Sequence, residues 1–181
     1  MTTQLGKLDA IMNEMRTVFA KMGSETVPQL ATEILSARRV LVYGVGRNGL
    51  MLQAFAMRLM HLAIDAHFIG QLTTPPVGRG DLFVAASALG RLPSADAYIS
   101  AASKAGLRIA VITARPGDAV PCDFIVHLPA QTMGDAQTSL LPLGSPFELA
   151  LHLFLELTVL QLMDRLGRTN DDLASRHANI L

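Results

Sequence analysis

The sequence predicts an α/β protein, a doubly wound five-stranded parallel sheet with helices on both faces and a helical pair at the N-terminal end. Three observations predict it. Five short apolar runs are each bounded by glycine or polar residues, the signature of strands buried on both faces. Between them lie stretches with apolar residues at helical spacing, so parallel strands joined by right-handed crossovers are expected. The chain's 181 residues are 50% hydrophobic and 17% charged, enough for one domain, 1–181, with a sizeable core.

Residues 1–37 read as two helices. Leu5, Leu8, Ile11, Met12, Met15, Val18 and Phe19 recur at helical spacing until Gly23 and Ser24 interrupt them. Ser24 is placed to cap the next helix, with Val27, Leu30, Ile34 and Leu35 on one face. This pair either packs on the core or forms an arm against another subunit. Residues 38–181 then carry the α/β core. Val40–Tyr43 is the first strand, followed by a helix over Asn48–Leu62. Ala66–Ile69 is the second strand, and Leu72–Gly80, with two prolines and two glycines, is a loop. Leu82–Ala86 is the third strand, after Asp81. Pro93 opens a helix that runs to about Lys104 and ends at Gly106. Arg108–Ile112 and Phe124–Leu128 are the fourth and fifth strands.

Charge narrows the function. Fifteen Lys and Arg balance fifteen Asp and Glu. No overall basic field exists to hold nucleic acid or an anionic membrane, which disfavours a polyanion partner and leaves room for a small anionic ligand held by a few local donors. Cys122 stands alone, which excludes an intramolecular disulfide and disfavours a cysteine zinc site. Met1–Arg16 lacks the continuous apolar core of a signal peptide. Phe147–Met163 is the most apolar stretch, but Glu148, His152 and Glu156 interrupt it. A cytoplasmic protein is expected, and its high apolar content points to buried contacts between copies, as in a homo-oligomer.

Sheets of this kind bind ligands beyond the carboxyl ends of their strands, at the topological switch point. The loops to search are therefore Gly44–Asn48 and Ser87–Ser94. In the first, Gly44-Val45-Gly46-Arg47-Asn48-Gly49 joins a strand to a helix, so backbone amides and a positive helix end face any ligand. Its spacing also fits a dinucleotide fold. That reading needs an acid at the end of the second strand, where Gly70 and Gln71 stand; Asp65 precedes the strand instead. The second loop offers Ser87, Gly90, Arg91 and Ser94 to an anion, or is an ordinary strand-to-helix connection. A third segment, Gly144-Ser145-Pro146-Phe147-Glu148, has two readings. Ser145, Pro146 and Glu148 match a capping box, with Ser145 as N-cap. Equally, Glu148 is a carboxylate able to move a proton between neighbouring carbons. The five histidines, His61 and His177 among them, show no metal-ligand spacing.

Taken together these segments resemble the SIS (sugar isomerase) domain family and, within it, the 6-phospho-3-hexuloisomerases. The resemblance rests on Gly44–Gly49, on Ala54-Phe55-Ala56-Met57-Arg58-Leu59-Met60-His61-Leu62, and on Thr73-Thr74-Pro75. It continues through Leu141–Leu149 and Arg176-His177-Ala178-Asn179. It implies a flavodoxin-like fold, a homotetramer, and conversion of 3-hexulose 6-phosphate to fructose 6-phosphate through a 2,3-enediol(ate), with neither metal nor cofactor. Glu148 matches the base and His177 a histidine that approaches from a neighbouring subunit. His61, inside the most specific run, is a second proton-shuttle candidate. Gly44, Gly46, Arg47, Asn48, Ser87, Gly90, Arg91 and Ser94 are the expected substrate contacts. The pattern breaks where the family has S-G-S-G-E-T and this chain has Ser87-Ala88-Leu89-Gly90-Arg91-Leu92; Asn48 also replaces a serine, and Gln71 a glutamate. Two hydroxyls that would bond the phosphate are leucines, a loss of about 1.5–3 kcal/mol each. The resemblance therefore leaves open an isomerase of a related or unphosphorylated sugar, and a non-catalytic sugar-phosphate-binding module.

Overall fold

The structure is a computed structural model describing residues 3–180. Five parallel strands form one sheet: β1 (Arg39–Gly44), β2 (Ala66–Phe68), β3 (Asp81–Ala86), β4 (Arg108–Thr113) and β5 (Phe124–His127). Their order is β2-β1-β3-β4-β5, the doubly wound arrangement the alternating pattern predicts. The chain leaves β1 toward β2 on one side and leaves β3 toward β4 on the other. Gly44 and Ala86, register partners at the ends of β1 and β3, therefore flank the switch point.

Alternation along the strands builds two cores. Val40, Val42, Leu82, Val84, Ala110 and Ile112 face one side, with α2 (Thr26–Ser36), α3 (Gly46–His61) and α5 (Ser145–Leu166) packed over them. Leu41, Phe83, Ala85, Ile109 and Val111 face the other, where Ile99 and Ala102 of α4 (Pro93–Lys104) cover them. A strand buried on both faces has no room for polar alternation, which is why the runs are continuous in sequence. The two members of the N-terminal pair differ in burial. Leu30, Ala31 and Ile34 of α2 are buried, whereas α1 (Gln4–Lys21) buries Met15 and Val18 and leaves Leu5, Leu8 and Met12 exposed.

Two helix starts differ from the sequence reading. Glu25, not Ser24, precedes α2, and it makes no capping side-chain bond. Gly144, not Ser145, is the N-cap of α5, with φ of 77°. Because Gly144 takes the left-handed turn, Ser145 is already helical and no capping box forms. Helix α5 also reaches the length and mean hydropathy, 1.3, of a membrane span, and half of that apolar window is buried. Phe147, Leu151, Phe154 and Leu162 are spent on the core, which accounts for its apolarity. A short C-terminal helix, α6 (Asn170–Ala174), returns to α3.

At the amino ends of the strands, Arg38 donates two hydrogen bonds to the buried Asp81, both 2.9 Å, and the Gly78 amide donates a third at 2.9 Å. The Arg38 guanidinium holds the Asp81 carboxyl below its usual value near 3.8, against the opposing effect of burial. A carboxyl depressed in the fold stabilises above the unfolded value and loses that contribution as pH falls through the folded value. Asp81→Ala is accordingly expected to cost about 1.5–3 kcal/mol at neutral pH. Thermal unfolding in acid should shrink the difference from the wild type.

Candidate active site

A cavity of about 240 Å³ opens at the switch point, between the β1–α3 loop, the β3–α4 loop and the start of α5. Gly46, Arg47 and Asn48 form one wall, Ser87 and Arg91 a second, and Glu148 a third. The first wall exists because α3 closes tightly on β1. A Cβ at Gly49 would lie 2.5 Å from the Gly44 carbonyl oxygen, so the two glycines let the helix start beside the strand end. Its N-terminal amides thus face the cavity.

Glu148 does not cap its own helix. Its carboxylate accepts a hydrogen bond from the Arg47 Nε–H across the cavity. The Glu148 side chain is largely buried, whereas the Arg47 head is two-thirds exposed. Beside them the Asn48 Oδ1 is buried and has no hydrogen-bond partner among the described residues. A buried carbonyl oxygen left this way costs roughly 1–3 kcal/mol. The β3–α4 loop is pinned from behind: the Ala88 carbonyl accepts bonds from the Ala114 amide and the Thr113 hydroxyl.

Of the sequence-predicted contacts, Gly46, Arg47, Asn48, Ser87, Arg91 and Glu148 share this cavity. Gly44 lies behind it against Gly49, and Gly90 packs against the backbone of Arg115 and Asp118. Ser94 is exposed on α4 and does not line the cavity. His61 does not join the cavity within its own chain: it sits at the far end of α3, about 20 Å along the helix from the cavity at ~1.5 Å per residue. Within one chain it is buried beneath His177, the ring centroids 5.4 Å apart and 26° from parallel. Neither histidine reaches the Glu148 of its own chain. Met133, which the sequence reading passed over because it lies in a long loop with no motif, and Leu143, inside the segment that carries the resemblance, join Leu89 and Leu92 in an apolar wall. Asp65 lies at the amino end of β2, bonded to Arg39 at 2.7 Å and His67 at 2.8 Å. That places it away from any ribose. Among the described residues no cluster of three or more His, Cys, Asp or Glu side chains is placed to hold a metal ion.

Burial, then Arg58, then His177 push the His61 imidazole below its ordinary value of 6.5. Above that value the ring is neutral in both folded and unfolded chains. Below it the unfolded chain takes up a proton that the folded one resists, so stability falls as pH drops. Glu156, 3.9 Å from Arg58, is the nearby carboxylate that offsets part of the local positive charge. Between pH ~7.5 and ~5.5 the melting temperature should fall further for the wild type than for His61→Gln, read by scanning calorimetry.

The fold and the placement of this cavity define a sugar isomerase-type domain. The sugar isomerase domain of an RpiR transcription factor from Sphaerobacter thermophilus matches it with a TM-score of 0.75 at 14% identity, covering 97% of this chain and 96% of that one. No protein-family model matches the chain. Sequence takes the assignment further. The 3-hexulose-6-phosphate isomerase of Bacillus subtilis is 36% identical over 180 residues, spanning 94% of this chain and 95% of the relative. A Methanococcus jannaschii protein, whose crystal structure infers a molecular function of 3-hexulose-6-phosphate isomerase, has a TM-score of 0.83 at 29% identity, covering 97% of this chain and 99% of that one. The chain belongs to the 3-hexulose-6-phosphate isomerase family.

Proposed function

We propose that this protein interconverts 3-hexulose 6-phosphate and fructose 6-phosphate through a 2,3-enediolate, with Glu148 as the base. The observation that carries the reading is the Glu148 carboxylate, set across a switch-point cavity from Arg47 and beside the unpartnered oxygen of Asn48. The proton at C2 is acidified by the neighbouring C3 ketone. Glu148 takes that proton and becomes neutral as the enediolate gains its charge. The Arg47 guanidinium then has the enediolate to stabilise, together with the amides at the start of α3. The hydroxyl proton passes from O2 to O3, and return of the carbon-bound proton from Glu148 to C3 then leaves the C2 ketone of fructose 6-phosphate. Asn48, which lines the cavity, turns its amide to meet a sugar hydroxyl, and the phosphate lies toward Ser87 and Arg91.

His177 enters this scheme from a neighbouring subunit, because its own chain holds it on His61, far from the cavity. Exposed Leu50 and Met57 on α3, and Leu157 and Leu160 on α5, support a homo-oligomer, a tetramer or dimer; a cytoplasmic location belongs to the same reading. The apolar wall of Leu89, Leu92, Met133 and Leu143 favours a second reading, an unphosphorylated or otherwise less polar sugar. One measurement decides between them. In deuterated water the enzyme is expected to place deuterium at C3 of fructose 6-phosphate, detected by mass spectrometry and by loss of the C3 proton signal. Exchange into fructose but not its phosphate would establish the second reading, and binding without any exchange would leave a non-catalytic module.

A further inference from the structure

Each guanidinium lining the cavity already carries a carboxylate. Arg47 is paired with Glu148, and Arg91 Nε lies 3.1 Å from Asp96 Oδ2. A phosphate dianion therefore enters a site whose positive charge is already matched. Exchange at Arg47 would pull the guanidinium away from the base and the reacting carbons. Exchange at Arg91 disturbs neither.

Asp96 is built into the first turn of α4, where a helix's positive end draws an anion. Its second oxygen, Oδ1, accepts a bond from the Leu92 amide at 3.3 Å. Leu92 is the N-cap of α4 and supplies no capping side chain, and Pro93 after it has no N–H to offer. One carboxylate thus engages both a guanidinium and a helix-terminal amide, the two kinds of donor a phosphate uses. Arg91 and Leu92 line the cavity, whereas Asp96 stands behind them. The Arg91 head is 65% exposed and bound through one nitrogen, so it is free to change partner.

We propose that Asp96 is an internal counter-anion: it positions Arg91 at the rim and sets how tightly the site takes a phosphate, which binds by displacing it. This inference rests on the reading above that the phosphate end lies at the Ser87–Ser94 loop. It makes Asp96 a positioning residue that acts through Arg91, and gives this chain an ionic handle where two hydroxyls are replaced by Leu89 and Leu92. A carboxylate beside the phosphate weakens binding by repulsion and by competition for the guanidinium.

The test is calorimetric titration with fructose 6-phosphate, inorganic phosphate and fructose. It uses the wild type, Asp96→Asn, Arg91→Gln and the double variant. Asparagine keeps the oxygen that accepts the Leu92 amide, so the start of α4 stays intact while the charge goes. Asp96→Asn should tighten both phosphates by about threefold or more at low salt, less at high salt, with fructose unmoved. The gain should vanish in the Arg91→Gln background, and in turnover it should fall on KM rather than kcat. Unchanged or weaker phosphate binding in Asp96→Asn overturns the proposal, as does an equal gain without Arg91. Failure of the isomerase reading looks different: the wild type then places no deuterium at C3, while phosphate binding still responds to Asp96.

Discussion

Glu148→Gln is expected to lower kcat/KM for the hexulose phosphate by about 10²–10⁴-fold, the usual contribution of a positioned general base. That corresponds to about 3–5.5 kcal/mol of transition-state stabilisation. Stability should barely change, since glutamine keeps the shape of the side chain and Arg47 is mostly exposed, where ion pairs contribute little. The combination matters. Had Glu148 been the third residue of a capping box, its loss would have shown mainly in unfolding. In this structure it bonds Arg47 across the cavity, and Gly144 caps α5 without any side-chain bond. Single-turnover kinetics with deuterium at C2 separate the chemical step from binding. The variant should retain substrate affinity within a few-fold and lose the isotope-sensitive step. A fully active Glu148→Gln protein would mean that the proton moves through another group.

Much of the fold and part of the site are legible in the sequence, for identifiable reasons. Buried parallel strands have apolar runs because both faces are covered, so Val40–Tyr43 and Leu82–Ala86 announce themselves. Once the strands are placed, the switch-point rule points to Gly46, Asn48 and Ser87. Contacts between distant residues were not readable. Arg47 and Glu148 are 101 positions apart, and no local pattern says that one faces the other. Nor does any motif announce that His61 and His177 stack at the far end of α3. Ser145 misled because a serine followed by proline satisfies the capping rule, while the glycine before it satisfies a stronger backbone demand. Arg91 and Asp96 are near neighbours in sequence, yet their pairing shows only when the α4 start is built.

That backbone demand supplies the other large effect. Gly144→Ala meets two separate obstacles. At φ of 77° an alanine is in the left-handed region, which costs ~1–2 kcal/mol. The added Cβ would also lie 2.6 Å from the Met133 amide nitrogen and 3.2 Å from the Thr132 carbonyl carbon, both backbone atoms with little freedom to yield. Overpacking of that kind costs a further ~1–3 kcal/mol. Thermal unfolding should therefore drop by roughly 5–15 °C. Activity should fall as well, because the strain has few ways to relax. Phe147, fully buried three residues on, anchors α5 in the core and resists inward movement. The opposite movement shifts Met133 and Leu143, which line the same cavity as Glu148. A base displaced by ~1 Å loses about 10²-fold in rate. Glu148→Gln thus removes activity and spares the fold, whereas Gly144→Ala diminishes both. If Gly144→Ala instead proves as stable and active as the wild type, the tight approach of the Thr132–Met133 backbone to α5 is not what sets the base in place.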